Sequence, residues 1–352
     1  MIELRGIKKT FNPGTVNEHV AISGLDLSLN EGDFITVIGG NGAGKSTLLN
    51  IISGSISADE GLILLNGTDV SMLREYKRAP YFGRVFQDPM MGTAADMTIL
   101  ENLALARGRG RRRSLFRWSI KKDDKAYFIE QLKSLHLGLE NRITQKVGLL
   151  SGGQRQALTL LMATMSQLPS HRQIRKDYVT FNRANPNAKQ EVESAYSKGK
   201  NEFLAKKQQI KAEFIEKLKN NGVLDIKSLK KEEKQRIKEA FNEFDKEFRK
   251  FDVTKPVLLL DEHTAALDPQ TANKVLTLTN EIVQRNHQTT IMITHNMNDA
   301  IKYGNRLIMI SKGKIVVDVS GEEKQKLTIE QLLEMFTVAS KDDVLSDATI
   351  LG

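Results

Sequence analysis

None of the 352 residues is cysteine. That absence excludes disulfides and thiolate metal sites and fits a reducing cytoplasm. No apolar run approaches the ~20 residues needed to cross a bilayer. The opening Met1-Ile-Glu-Leu-Arg-Gly-Ile also lacks the apolar stretch of a signal peptide. Any work at a membrane is therefore expected to pass through a partner. What is present is the balance of a globular protein, 40% hydrophobic and 27% charged, with length for one large domain or two ordinary ones. The net charge of +9 is unevenly spread: residues 166–255 hold 22 Lys/Arg against 14 Asp/Glu, and the remainder is nearly neutral.

One stretch stands out, Gly39, Gly40, Asn41, Gly42, Ala43, Gly44, Lys45, Ser46, Thr47. It fits G-x-x-x-x-G-K-[ST], the loop that cradles nucleotide phosphates. Its glycines allow several N–H groups to point at one anion. Lys45 brings a point charge to the β- and γ-phosphates, and the Ser46 hydroxyl can ligand Mg²⁺. The apolar run Phe34–Ile38 before it predicts a buried strand. Ser46 to Ile52 predicts a helix, which sets the phosphates at a helix N-terminus.

Short apolar stretches from Ile2 to Leu29 predict antiparallel strands leading into this loop, and Phe11 beside Asn12-Pro13-Gly14 is placed to stack on an adenine ring. Leu62 to Leu65 with Asn66-Gly67 predicts a strand and tight turn, and Phe82 to Phe86 another strand, ended by Gln87. From Met97 to Leu150 the periodicity is helical. It is interrupted between Arg107 and Arg117 by six arginines in eleven positions, read either as a solvated loop or as a contact with lipid headgroups or an acidic partner. Ser151, Gly152, Gly153 and Gln154 open an apolar helix, a second candidate anion site. Val257 to Glu262 is an apolar strand ending in the carboxylates Asp261 and Glu262, a pattern suited to handling Mg²⁺ and water beside a phosphate loop.

The phosphate loop and the Leu150-Ser-Gly-Gly-Gln154 motif, in this order and followed by the acidic strand, resemble the nucleotide-binding subunit of ATP-binding cassette (ABC) transporters, bacterial importer type. The resemblance covers about residues 1–165 and 256–336. It implies an α/β P-loop NTPase core, mostly a parallel sheet with an antiparallel β subdomain, plus a helical signature subdomain. The cofactors it implies are ATP and Mg²⁺. By resemblance Asp261 holds the Mg²⁺ shell with Ser46, Glu262 polarises the attacking water, and His295 is the γ-phosphate switch. Gln87 senses Mg²⁺, and Asp268 lies in the loop linking the two sites of a dimer. Where most members carry proline after the glutamate, this chain has His263; the string Asp-Glu-His-Thr-Ala-Ala-Leu-Asp-Pro resembles a subgroup of importers, some associated with amino-acid uptake.

The expected division is residues 1–87 and 256–337 as ATP-binding core, 88–165 as helical subdomain, 166–255 as a basic helical insertion and 338–352 as a tail. Within the insertion, Ile237, Phe241, Phe244, Phe248 and Phe251 follow 4-3-4-3 spacing, and Tyr196, Phe203, Ile210, Phe214 and Leu218 follow spacings of seven and four. With Asn220-Asn221-Gly222 between them, they predict two antiparallel helices closed by an aromatic seam. The insertion joins the end of the Asp261 strand opposite the carboxylates, so it is expected away from the nucleotide.

Together these imply a transport ATPase that dimerises head to tail around two ATP molecules. The expected partners are a second copy, transmembrane permease subunits and an extracellular substrate-binding protein. The location implied is the cytoplasmic face of the membrane, with nucleic acid not expected as a partner. The alternative is a soluble ABC ATPase acting on nucleic acid or ribosomes. Such translation factors carry two cassettes, and chromosome-type members place their coiled coil before the signature, whereas this chain has one cassette and its hairpin after it.

Overall fold

The computed structural model describes residues 2–109, 122–165, 185–220, 226–248, 256–335 and 337–338, together with 175, 178 and 179. The chain divides into two compact units, Met1–Gln167 with Lys255–Gly352, and Leu168–Thr254.

In the first unit, β1 (Ile2–Phe11) and β2 (His19–Leu29) pair antiparallel. The next strand, β3 (Phe34–Gly39), leads into helix α1 (Lys45–Ser53). Then β4 (Glu60–Leu65) turns back through Asn66 and Gly67 into β5 (Thr68–Asp69). Both turn residues have positive φ, 48° and 77°, as a two-residue turn matching strand twist requires. These strands form a sheet in the order β2-β1-β4-β5.

After the short helix α2 (Glu75–Arg78) comes β6 (Phe82–Val85). Helices α3 (Ile99–Arg107), α4 (Lys122–Lys133) and α5 (Gly152–Thr164) follow. The helical stretch read from Met97 to Leu150 is thus broken, since Leu139–Arg142 and Val147–Leu149 are single 3₁₀ turns. A reciprocal Thr98–Glu101 capping box starts α3. Two arginines of the arginine-rich run are tied down within this unit. Arg107 pairs with Asp124 at 2.6 Å and covers the Tyr127 ring, and Arg109 donates to the carbonyls of Ala163 and Met165. A free, solvated loop is therefore wrong for these two; residues 110–117 lie outside the described residues.

The second unit contains α6 (Ala188–Asn220) and α7 (Ile226–Phe248). Tyr196 packs against Phe248 with ring centroids 5.2 Å apart, and Phe203 against Phe241 at 5.6 Å and Phe244 at 6.2 Å. Pairing the start of α6 with the end of α7 makes the hairpin antiparallel, and Lys206–Glu243 and Lys217–Glu232 ion pairs continue the same register. The seam is tighter at one end than the spacing suggests. Phe244 and Phe248 are buried, whereas Phe241 and Leu218 are exposed. Two helices alone have too little surface to cover a stripe along their whole length. Phe251 lies outside the described residues.

Returning to the first unit, β7 (Val257–Asp261) is followed by α8 (Pro269–Asn286), β8 (Thr290–Ile293), α9 (Met297–Lys302), β9 (Arg306–Ser311), β10 (Lys314–Ser320) and α10 (Gly321–Gln325). The second sheet has the order β10-β9-β3-β8-β7-β6. Its β9-β3-β8-β7-β6 neighbours are parallel and only β10 runs against its partner. The central strands β3, β7 and β8 are buried along nearly their whole length, which is why they read as continuous apolar runs: parallel strands are covered on both faces. Their carboxyl ends therefore share one edge, where Gly39, Asp261 and Ile293 each hand the chain to a loop. The architecture is the α/β P-loop fold that the sequence implies.

Candidate functional site

At the end of β3 the chain cannot carry a side chain. A Cβ on Gly39, whose φ is +154°, would stand 2.2 Å from the Ile310 carbonyl oxygen, and one on Gly44, at φ +101°, 2.3 Å from that of Ala21. The loop between them is thus clamped on β9 and β2, and the Gly313 N–H adds a bond to the Ala43 carbonyl at 3.1 Å. Asn41, Gly42 and Ser46 are exposed. Lys45 is buried, and its Nζ donates to the carbonyls of Gly39 at 2.9 Å and Gly40 at 3.0 Å, which holds the ammonium across the loop.

Ser46 Oγ donates to Asp261 Oδ1 at 3.1 Å. The fold thereby joins the first turn of α1 to the end of β7, although the two residues are 215 apart in sequence. The other carboxylate oxygen, Oδ2, faces Arg84 Nη2 at 3.5 Å, and both side chains are 15% exposed. The Arg84 guanidinium also lies over the Phe86 ring, 4.6 Å from its centroid. Glu262 does not continue β7. Its φ is +45°, its N–H donates to Ile293 and its carbonyl accepts from Ala265, so the carboxylate turns off the strand. Glu262 Oε2 lies 3.7 Å from His295 Nδ1, with the Glu262 side chain 21% and the His295 side chain 64% exposed.

The next residue is the buried His263, whose Nε2 lies 3.1 Å from Thr279 Oγ1 on α8. Burial pushes its pKa down to about 4, so the imidazole is neutral at physiological pH. Asp268 caps α8 by accepting the Thr271 N–H at 3.1 Å, and these bonds to Thr271 hold its carboxyl below the usual range.

Ser151 and Gln154 form a reciprocal capping box at the start of α5, leaving the first N–H groups of the helix without an intrahelical acceptor. A Cβ on Gly153 would lie 2.2 Å from the Thr271 side chain and one on Gly152 3.3 Å from Leu267, so this helix end abuts the start of α8. No hydrogen bond joins Ser151–Gln154 to Gly39–Thr47 among the described residues. Gln87 is exposed at the end of β6, with no hydrogen bond to Ser46 or Asp261 among the described residues. Phe11, half-buried, pairs across the hairpin with His19, and the Lys9 ammonium stands 5.6 Å from its ring centroid.

The structure thus brings together two groups, Lys45 with its loop and Ser46 with Asp261, and sets Glu262 near His295. Among the described residues no hydrogen bond ties Gln87 or the α5 start to them. Sequence reasoning missed Arg84 and Gln156. The latter is fully buried, and its Nε2 donates to the Phe86 carbonyl at 3.1 Å, tying α5 to the residue before Gln87. It also missed Arg78, 1% exposed, which donates to Ile51, Ile52, Ser71 and Leu73 carbonyls and so closes the C-terminal end of α1. Burial next to Asp69 explains why its pKa still falls: desolvation outweighs the one nearby carboxylate. A local signal existed for Arg84, a charged residue inside the apolar strand Phe82–Phe86, whereas Arg78 and Gln156 sit beside polar neighbours that hide them.

Comparison with known proteins follows the same lines. A family model described as ABC transporter matches residues 22–171. A tyrosine transport ATP-binding protein of Clostridioides difficile is 33% identical over 339 residues, covering 96% of this chain and all of the relative. A probable branched-chain amino acid transport ATP-binding protein, LivG of Methanocaldococcus jannaschii, is 36% identical over 42% of this chain and 59% of its own length. Among solved structures, the ATP-binding cassette MJ0796, in a dimeric post-hydrolysis state bound to ADP and Pi, superposes with a TM-score of 0.56 at 21% identity, over 91% of this chain and 98% of that one.

Proposed function

The chain belongs to the ABC transporter family and is a transport ATPase that binds ATP, and from that premise we propose how its residues divide the work. The observation that carries the reading is the 3.1 Å contact between Ser46 Oγ and Asp261 Oδ1 beneath the lysine-bridged loop. Backbone N–H groups of Gly40 to Thr47, with Lys45, bind the β- and γ-phosphates. Phe11 stacks on the adenine.

The hydroxyl–carboxylate pair suits Mg²⁺, which takes few protein ligands and completes its shell with phosphate oxygens and water. Mg²⁺ held by Ser46 and Asp261, with Gln87 beside it, would neutralise charge on the phosphate oxygens. Glu262 accepts the proton of the attacking water, and His295 contacts the γ-phosphate.

Two copies face head to tail, so that the α5 start of one, Ser151 to Gln154, meets the phosphate loop of the other, with Asp268 linking the sites. ATP then bridges the copies, and its hydrolysis lets them part. No helix among the described residues is long and apolar enough to cross a membrane. We place the protein peripherally on the cytoplasmic face, bound to separate permease subunits and served by an external substrate-binding protein. The cargo we propose is a small amino-acid-type solute taken inward, a reading supported by the names of the tyrosine and branched-chain amino acid relatives. Residues 1–87 and 256–337 serve as ATP-binding core, 88–165 as the signature subdomain and 166–255 as an added helical module.

Glu262→Gln tests the assignment. It removes the base but keeps the phosphate contacts, so turnover should drop roughly 10²- to 10⁴-fold while ATP affinity stays near wild type and an ATP-bound dimer accumulates on gel filtration. Wild-type turnover would refute the role of Glu262.

A further inference from the structure

His263 stands where the family pattern has proline, and the structure gives it a partner. It is 1% exposed, and its Nε2 meets Thr279 Oγ1 at 3.1 Å. The Thr279 hydroxyl donates its one proton to the Val275 carbonyl at 2.7 Å, so its oxygen is left to accept. The imidazole must then carry its hydrogen on Nε2. The bond spans 16 residues and fastens the loop after β7 to the buried face of α8.

Glu262, one residue earlier, is held by its backbone alone among the described hydrogen bonds. It occupies the left-handed region at φ +45°, a conformation that persists in a non-glycine residue only when its surroundings over-determine it. The far end of the same loop is closed by Asp268, which caps α8. At the near end, the described hydrogen bonds of Glu262 are the backbone ones to Ile293 and Ala265.

We propose that His263 is a positioning residue for Glu262: its buried Nε2–H bond to Thr279 pins the loop to α8 and thereby fixes where the Glu262 carboxylate stands relative to His295. The inference rests on Glu262 acting as the base. It acts through geometry, because a displacement of about 1 Å at a reacting group costs on the order of 10²-fold in rate. Ground-state nucleotide binding, made by the phosphate loop, is untouched.

The test uses the full-length protein with His263→Leu, Thr279→Val, their combination and His263→Gln, measuring kcat, KM, nucleotide affinity and Tm, with Glu262→Gln as reference. Each of the first two variants is expected to lower kcat between about 10- and 100-fold while nucleotide affinity stays within about twofold of wild type. The combination should lose no more than the worse single variant, since both remove one bond. His263→Gln, which returns an N–H donor near Nε2, should restore most of kcat. Wild-type kcat in Thr279→Val, additive losses in the combination, or no recovery with glutamine would overturn the proposal. Should His263→Leu fail to fold, Thr279→Val alone decides it, with reduced kcat at unchanged Tm in support and wild-type kcat against. A fully active Glu262→Gln would overturn the base assignment and this inference with it. An inactive Glu262→Gln beside a fully active Thr279→Val would overturn the inference alone.

Discussion

Charge is handled in opposite ways in the two units. In the first, the cations around the site lie inside and are met by fixed acceptors. Lys45 bonds two loop carbonyls, Arg78 bonds four, and Arg84 shares a nearly dry niche with Asp261. In the second, which carries most of the net positive charge, cations stand on the outer faces of α6 and α7. Lys206 and Glu243, for example, pair at 2.7 Å with side chains 53% and 65% exposed. Below them lies a patch of aromatic rings around Val192. A charge out of water interacts several-fold more strongly with a fixed partner than one in water. Losing that partner is correspondingly costly, whereas exposed pairs contribute little. The site unit uses charge to set geometry, and the helical unit uses it to stay solvated.

The largest expected effect comes from the interior of the site unit. Arg78→Met keeps bulk but removes the guanidinium donors from four carbonyls, those of Ile51 and Ile52 at the end of α1 among them, so stability of that unit should fall by about 3 kcal/mol, read from denaturant unfolding. A loss below about 1 kcal/mol would mean that water enters and replaces the guanidinium, and the contrast would weaken.

Next comes the aromatic patch. Phe244→Ala removes a ring that contacts Tyr196, Phe203, Phe241 and Phe248. It should destabilise the helical unit by about 2–3 kcal/mol, while ATPase turnover is retained because every phosphate and water contact assigned above lies in the other unit. A parallel fall in turnover would break the division between them. The smallest effect belongs to the surface: a double-mutant cycle on Lys206 and Glu243 should return a coupling of roughly 0–0.5 kcal/mol that vanishes in high salt. A coupling above about 1 kcal/mol, or one that persists in salt, would show that charge orders the hairpin as well.

Much of the site could be read along the chain, for a physical reason. A phosphate cradle is built by consecutive backbone groups, so Gly39 to Thr47 carries its own signature, and the steric demand at Gly39 and Gly44 leaves no other residue type. Strand ends announce themselves likewise: apolar runs stop at Asp261 and before His295 because parallel strands are buried until they reach the open edge. Periodicity was less faithful where burial is incomplete. Phe241 and Leu218 keep the spacing of a seam yet remain exposed, since spacing tells which face a residue is on but not whether anything covers it. The arginine-rich run misled for a related reason, as Arg107 and Arg109 find an ion pair and carbonyls that no local pattern shows.

By itself the sequence determined the family, the phosphate loop, the two carboxylates and a helical addition, all of which depend on neighbours a few residues apart. Only the tertiary structure decided that Ser46 meets Asp261, that Arg84 lies beside the same carboxylate from 177 residues away, and that His263 meets Thr279. Local sterics and hydrophobic period are written in consecutive residues. A partner brought close by the packing of separate elements is not, because its identity depends on where the whole sheet places each strand end.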